Sequence, residues 1–271
     1  MHLSKKALII GFTIIMLLGC AGISTAYEDS QKTIEFDISH FYYNYNEVDS
    51  GTSEDSEKGW LNGMNFTFKN QDQDTKEYWQ LSFNHTKDDT KYDGSYLETG
   101  TPCQSTTKDE LTSIELDYGF PIAENTYFLI GLGYHYWDRV LSEDQDEKYS
   151  WLYIPIGFRW EHSFNKQLDA AIEVTAKFMM AGQMTSTITD YQDFTVDLGN
   201  KPGYKIDLPL TYHFNSNWAL AITPWYEYSS IGESNMVQWY YANGFPTGYE
   251  VYEPDSSTKQ NGINIGIRWD F

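Results

Sequence analysis

Period-two alternation of apolar and polar side chains runs through most of this sequence, and it restricts the folds open to the chain more than any other feature. Its clearest stretch is Tyr127 to Trp137, where Phe128, Ile130, Leu132, Tyr134 and Tyr136 alternate with Gly131, Gly133 and His135. Leu152, Ile154, Ile156, Phe158 and Trp160 repeat it against Gly157, Arg159 and Glu161, and Leu168 to Phe178 sets apolar residues against Asp169, Glu173 and Lys177. Tyr204, Ile206, Leu208, Leu210, Tyr212 and Phe214 follow, then Trp218, Leu220 and Ile222. Fainter versions are legible in Trp60, Met64, Phe66 and Phe68, in Trp79, Leu81 and Phe83, and in Ile114, Leu116, Tyr118 and Phe120. Side chains alternate between the two faces of a strand, so each stretch is an extended segment with one apolar face. The template yields about ten strands of roughly nine to fourteen residues, each long enough to cross a bilayer when tilted. The first, "TIEFDISHFYYNYN", changes phase near His40, which predicts a bulge there.

Alternation alone also describes a soluble sandwich or a lipocalin-like barrel with its apolar face turned inward. Two further patterns favour a membrane barrel. Long polar stretches such as "SEDQDEK" follow the odd strands, whereas the even strands end in short turns such as "PIAEN", "SFNKQ" and "NSN". That asymmetry belongs to transmembrane barrels with short turns at one end and long loops at the other, and it requires an even strand count. Aromatic residues also gather at the strand ends. Phe120, Tyr127, Trp160, Phe164, Phe214, Trp218, Trp269 and Phe271 stand near the short turns; Tyr43, Tyr45, Trp60, Trp79, Tyr136, Trp151, Tyr226 and Tyr228 stand at the other end. Amphipathic rings favour membrane interfaces, so these sets read as two girdles. The expected fold is therefore all-β, an antiparallel up-and-down transmembrane β-barrel of ten strands. Pro155, Pro209 and Pro224 each lack a ladder donor and should interrupt pairing.

The N-terminus reads as an export signal. Lys5 and Lys6 precede the apolar run Ala7 to Leu18, which is too short to span a bilayer comfortably. "STA" at Ser24 to Ala26 offers one cleavage site, leaving residues 27–271 as a single barrel domain after a signal peptide at 1–26. "LLGC" at Leu17 to Cys20 offers another, with Cys20 lipidated. The first is preferred, because a chain that inserts by itself gains little from an acyl anchor. Either way Cys103 stands alone, so no intramolecular disulfide and no cysteine metal cluster can form.

The chain ends "NGINIGIRWDF", with Ile265, Ile267, Trp269 and Phe271 on one face and a terminal aromatic. This resembles the C-terminal assembly signal of the bacterial outer-membrane β-barrel superfamily, including its small eight- to twelve-stranded members. "YIPIGFRW" and "IDLPLTYHF" are similar to phrases in the same group. The resemblance implies a Gram-negative outer-membrane location, contact with outer-membrane lipid, and recognition by the barrel assembly machinery during insertion. It implies a porin-like pore or a surface scaffold, with membrane-embedded hydrolases such as omptin-like proteases or lipid-modifying enzymes as the alternative.

Charge narrows the partners. A pI near 4.4 and a formal charge of -21 exclude nucleic acid, whose phosphates would be repelled. On the assigned phases, Glu115, Asp117, Arg159, Glu173, Lys177, Lys205, Asp207, Glu227 and Arg268 face the lumen, together with Glu35, Asp37, Glu161, Asp169 and Asp270. Ten strands leave a bore close to the filled limit, so any open path is narrow, and the acidic excess makes it favour small cations. His135 and Glu227 are the best acid–base pair on offer, but a buried polar network explains them more simply. His162 and His213 sit at short turns, the wrong end for chemistry on an outer leaflet. "SEDSEK", "KDDTKYD" and "EDQDEK" read as solvating acidic loops and lack the spacing of a calcium loop. No catalytic set, cofactor motif or metal site is assigned, and oligomeric state is left open.

Overall fold

A computed structural model describes residues 30–49, 52–95 and 99–271. The export segment 1–26, with both candidate cleavage sites, lies outside them. The described strands are β1 (Ser30–Asp49), β2 (Thr52–Asp72), β3 (Tyr78–Ser95), β4 (Pro102–Ala123), β5 (Thr126–Val140), β6 (Gln145–Ser163), β7 (Leu168–Ile188), β8 (Phe194–Asp197), β9 (Gly199–Asn200), β10 (Pro202–Asp207), β11 (Leu210–His213), β12 (Trp218–Gly232), β13 (Val237–Tyr240), β14 (Pro246–Val251) and β15 (Asp255–Asp270). β1 to β7 pair each with the next, all antiparallel. β10 and β11 together form one broken stave between β7 and β12. β15 then joins β12 to β1 and closes a ten-stave barrel. At the seam, Lys32 and Phe271 exchange backbone hydrogen bonds of 2.9 Å, so the described ends of the chain meet at the short-turn end.

Alternation sorts the two faces as the pattern predicts. Phe36, Ile38, Met64, Leu116, Ile130, Leu132, Phe158, Val174, Leu210, Ile265 and Ile267 are exposed on the outside. A continuous apolar band of this kind far exceeds the patches that soluble monomers tolerate, and hydrocarbon is the solvent that accepts it.

The staves are longer than the alternation suggests. "KDDTKYD" lies within β3 and "SEDSEK" within β2, not in loops, and the β3–β4 ladder runs unbroken to Ser95 and Pro102. Hydrophobic period marks only the part of a strand that meets lipid, whereas backbone pairing continues well above it. The bulge expected at His40 is also absent. β1 keeps its register through His40 on both sides, and its shift falls between Asn46 and Val48. What changes near His40 is the interior: Phe41, Tyr43 and Tyr45 point inward and are buried, so the lumen itself becomes apolar at that height. Five girdle assignments fail. Tyr43 and Tyr45 are buried at that height and Trp151 lines the lumen, Tyr127 is buried in the lumen at the short-turn end, and Trp79, opposite Asn70 and Tyr118, stands beside the short turn and not at the other end; the outward rings, such as Trp60, Trp160, Trp218 and Trp269, remain at the interfaces.

The prolines interrupt pairing without adding residues. Pro155 sits where the β5–β6 ladder skips from Ile130–Ile156 to Gly133–Tyr153. Pro209 and Pro224 fall at one shared gap, which divides β10 from β11. A true bulge occurs elsewhere, where the β6–β7 register shifts between Leu152 and Tyr153 and leaves Met180 unpaired.

Candidate functional site

The interior has two storeys. Within the height of the apolar band lies a cavity of about 280 Å³ with charged walls. Lys177 on β7 donates to Glu227 on β12 at 2.8 Å and reaches Glu115 on β4 at 3.8 Å, which ties non-adjacent staves together. Arg159 pairs with Glu161 at 2.8 Å and Glu173 at 3.0 Å. Lys205 holds Asp207 at 2.9 Å, and Arg268 holds Asp270 at 3.0 Å while Thr33 donates to the same carboxylate at 2.6 Å. Asp117 is buried on the same inner face beside Gly131. His213 meets Asp169 at 2.8 Å near a short turn. His135 stacks on Trp151 with ring centroids 4.2 Å apart, and the nearby Glu227 is engaged by Lys177. At the short-turn end Lys69 lies 3.9 Å over the ring of Tyr78, which packs edge-on against Tyr127.

Above the band the bore is filled. Arg139 on β5 is 2% exposed, and it donates from Nε to Glu57 on β2 at 2.7 Å and from Nη1 to Glu47 on β1 at 3.0 Å and Glu147 on β6 at 2.8 Å. Trp137 stacks on Tyr149 at 4.6 Å, meets Tyr45 edge-on at 5.1 Å, and donates Nε1–H to Asp109 at 2.8 Å. Tyr149 donates to Glu253 at 2.8 Å, and Tyr45 to Glu47 at 2.8 Å. Leu61, Met184, Val196, Leu198 and Ile231 complete the packing from β2, β7, the segment following it, and β12. Burial pushes the carboxyls of Glu47 and Glu57 up to about 7 against the opposing pull of Arg139. Burial and the neighbouring Glu47 and Glu147 raise Glu253 as well.

None of Arg139, Glu47, Glu57, Glu147 or Glu253 was singled out from the sequence. The available signal was the phase change at His40 itself: "FYYNYNE" carries Phe41, Tyr43, Tyr45 and Glu47 on the face that had been polar below. The same inward face of β5 runs from Gly131 and Gly133 through His135 to Trp137 and Arg139.

On the exterior, strand pairing assembles a set that linear distance concealed. His40 Nδ1 lies 2.9 Å from Asn62 Oδ1, and Asn62 donates from its backbone N and from Nδ2 to Asp88 Oδ2, both at 3.0 Å. His85 Nδ1 lies 3.0 Å from Thr112 Oγ1 on the neighbouring strand. Among the described residues, no group of three or more His, Cys, Asp or Glu has the arrangement of a metal site.

No family model matches the sequence, and no curated protein matches it significantly. Solved structures do match in fold. The outer-membrane protease OmpT of Escherichia coli aligns with 91% of this chain and 98% of its own at a TM-score of 0.57 and 9% identity. Neisserial surface protein A aligns at 0.40 and 10% identity over 89% of this chain and 97% of its own. OprG of Pseudomonas aeruginosa aligns at 0.38 and 10% identity, over 90% and 97%. With its closed antiparallel wall, its exterior apolar band and its likeness to the fold of OmpT, the chain has the fold of the bacterial outer-membrane β-barrels, in a ten-stranded form.

Proposed function

We propose that this protein is a non-enzymatic outer-membrane barrel with a sealed lumen, whose working part is the extension of the wall above the apolar band. The observation that carries the reading is the set of side-chain bonds that cross the bore from Arg139 to Glu47, Glu57 and Glu147, embedded in buried aromatic rings. A water-filled path would need that height to be open, and a ten-stave barrel is already close to the size that side chains can fill. The lower cavity then serves as a hydrated, charge-paired interior, and the wall displays the β13–β14 hairpin and the tips of the long staves. In this orientation the short turns are periplasmic. Liposomes carrying the refolded protein should retain small cations and sugars as well as empty ones; rapid swelling in either solute would refute the sealed lumen. Protease added to intact cells should cut the hairpin tip at 241–249 and spare the short turn at 121–126, and the reverse pattern would invert the orientation.

A second reading, a membrane-embedded hydrolase, is supported by one observation: the His40–Asn62–Asp88 chain on the exterior. It would hold the His40 ring in a fixed orientation, as a general base requires. Ester or peptide hydrolysis by the purified protein that disappears in His40→Ala would favour it over the scaffold.

A further inference from the structure

We infer that the outer face of β15, β1, β2 and β3 binds the phosphate groups of membrane lipid headgroups in the leaflet on the long-stave side. Strand register sets out the site. Lys259 stands opposite Asn44, Asn44 opposite Lys58, and Lys58 directly opposite Lys91. All three lysines are exposed, while their chain neighbours Glu57 and Tyr92 are buried, so the ammonium groups are on the outside of the wall. Neighbouring strands are about 4.8 Å apart, which makes a directly opposed Lys58 and Lys91 a repulsive pair. Such an arrangement is unexpected in a chain with 39 acids and 18 bases, where carboxylates are in ample supply.

A nearby lysine has been neutralised and these have not. Lys87, on the same wall, pairs with Glu110 at 2.7 Å. Among the described residues no carboxylate lies within ion-pair distance of Lys58, Lys91 or Lys259.

Height identifies the occupant. One period below the row, on the same outer face, Tyr42 and Trp60 pack against each other with centroids 5.5 Å apart, and His40 stacks on Trp60 at 4.9 Å. Amphipathic rings at the top of an apolar band mark the membrane interface, so lysines one period higher stand at the level of headgroup phosphates. Lysine rows there attract anionic headgroups electrostatically. The inference depends on the band and girdle, not on whether the lumen conducts.

Native mass spectrometry of the purified protein with phosphatidic acid or phosphatidylcholine tests it. Wild type should retain phosphatidic acid over phosphatidylcholine, and K58E/K91E/K259E should lose that preference by roughly tenfold or more. The control K32E/K76E/K166E carries the same charge change at the short-turn end and should keep it. K58Q/K91Q/K259Q serves if the glutamate variant fails to give a folded, heat-modifiable band. Equal retention by wild type and the row variants, or equal loss in the control, overturns the site. Displacement of the lipid by millimolar inorganic phosphate would instead assign it to a free anion and overturn the lipid.

Discussion

Arg139 donates from Nε to Glu57 Oε1 at 2.7 Å, linking β5 to β2 through the interior, where no backbone ladder connects those strands. Both side chains are almost wholly buried. Removing one partner leaves an uncompensated charge, so Arg139→Met should destabilise the folded barrel by about 3–5 kcal/mol. The temperature at which the folded gel band converts to the unfolded one measures this. Arg139→Met combined with Glu57→Gln and Glu147→Gln should recover much of the loss, and a single variant with wild-type behaviour would remove the cluster's structural role.

Acid should strengthen the upper storey. Glu47 and Glu57 titrate near 7 in the folded state, above their usual 4.5, chiefly because they are buried. A carboxyl with a raised folded pKa binds more protons when folded. The stability linked to it is therefore full below about pH 4.5 and is lost as pH rises through about 7, at up to about 1.4 kcal/mol per pH unit for each group. Conversion temperature should fall between pH 5 and pH 8, and Glu57→Gln should flatten the slope. A rising profile over that range would contradict the assignment.

Glycine shapes the lower storey through close approach. A Cβ placed on Gly133 would lie far inside van der Waals contact with Cζ of the buried Tyr153. Overpacking of this kind costs typically about 1–3 kcal/mol, so Gly133→Ala should lower the conversion temperature. Adding Tyr153→Leu should relieve the clash, and additive effects of the two substitutions would show that the contact is unimportant.

The architecture was legible where one physical demand governs the side chains. Leu132, Phe158 and Ile265 must face hydrocarbon, and the short turns must reverse the chain, so alternation and connection length together gave ten staves. The upper storey followed a different demand. There the outer face is polar, as in Asn44 and Lys58, and the inner face is a packed core, as in Tyr43 and Leu61, so the same period reads with inverted meaning and looked like a bulge. Arg139 was hidden because a lone charge next to Asp138 carries no periodic signal; only closure of the barrel brings Glu47, Glu57 and Glu147 around it. Lys58 and Lys91 are likewise distant in sequence and meet only through register.

The C-terminal face awaits a functional test. Phe271 is stacked on Trp269 at 4.3 Å, exposed on the outside, and bonded through its backbone to Lys32. Phe271→Asp should reduce the amount of heat-modifiable protein in the membrane fraction far more than Phe245→Asp in the β13–β14 loop. Wild-type yield from Phe271→Asp would rule out an assembly role for that residue.

Planar-bilayer recording of the refolded protein tests the sealed lumen most directly. Wild type should be silent, because the Trp137 and Arg139 storey fills the bore. Trp137→Ala combined with Arg139→Ala, where the folded band persists, should open a small conductance that favours cations, since Glu47, Glu57, Glu147 and Glu253 would then line the opening. A steady ohmic conductance in the wild type would contradict the account.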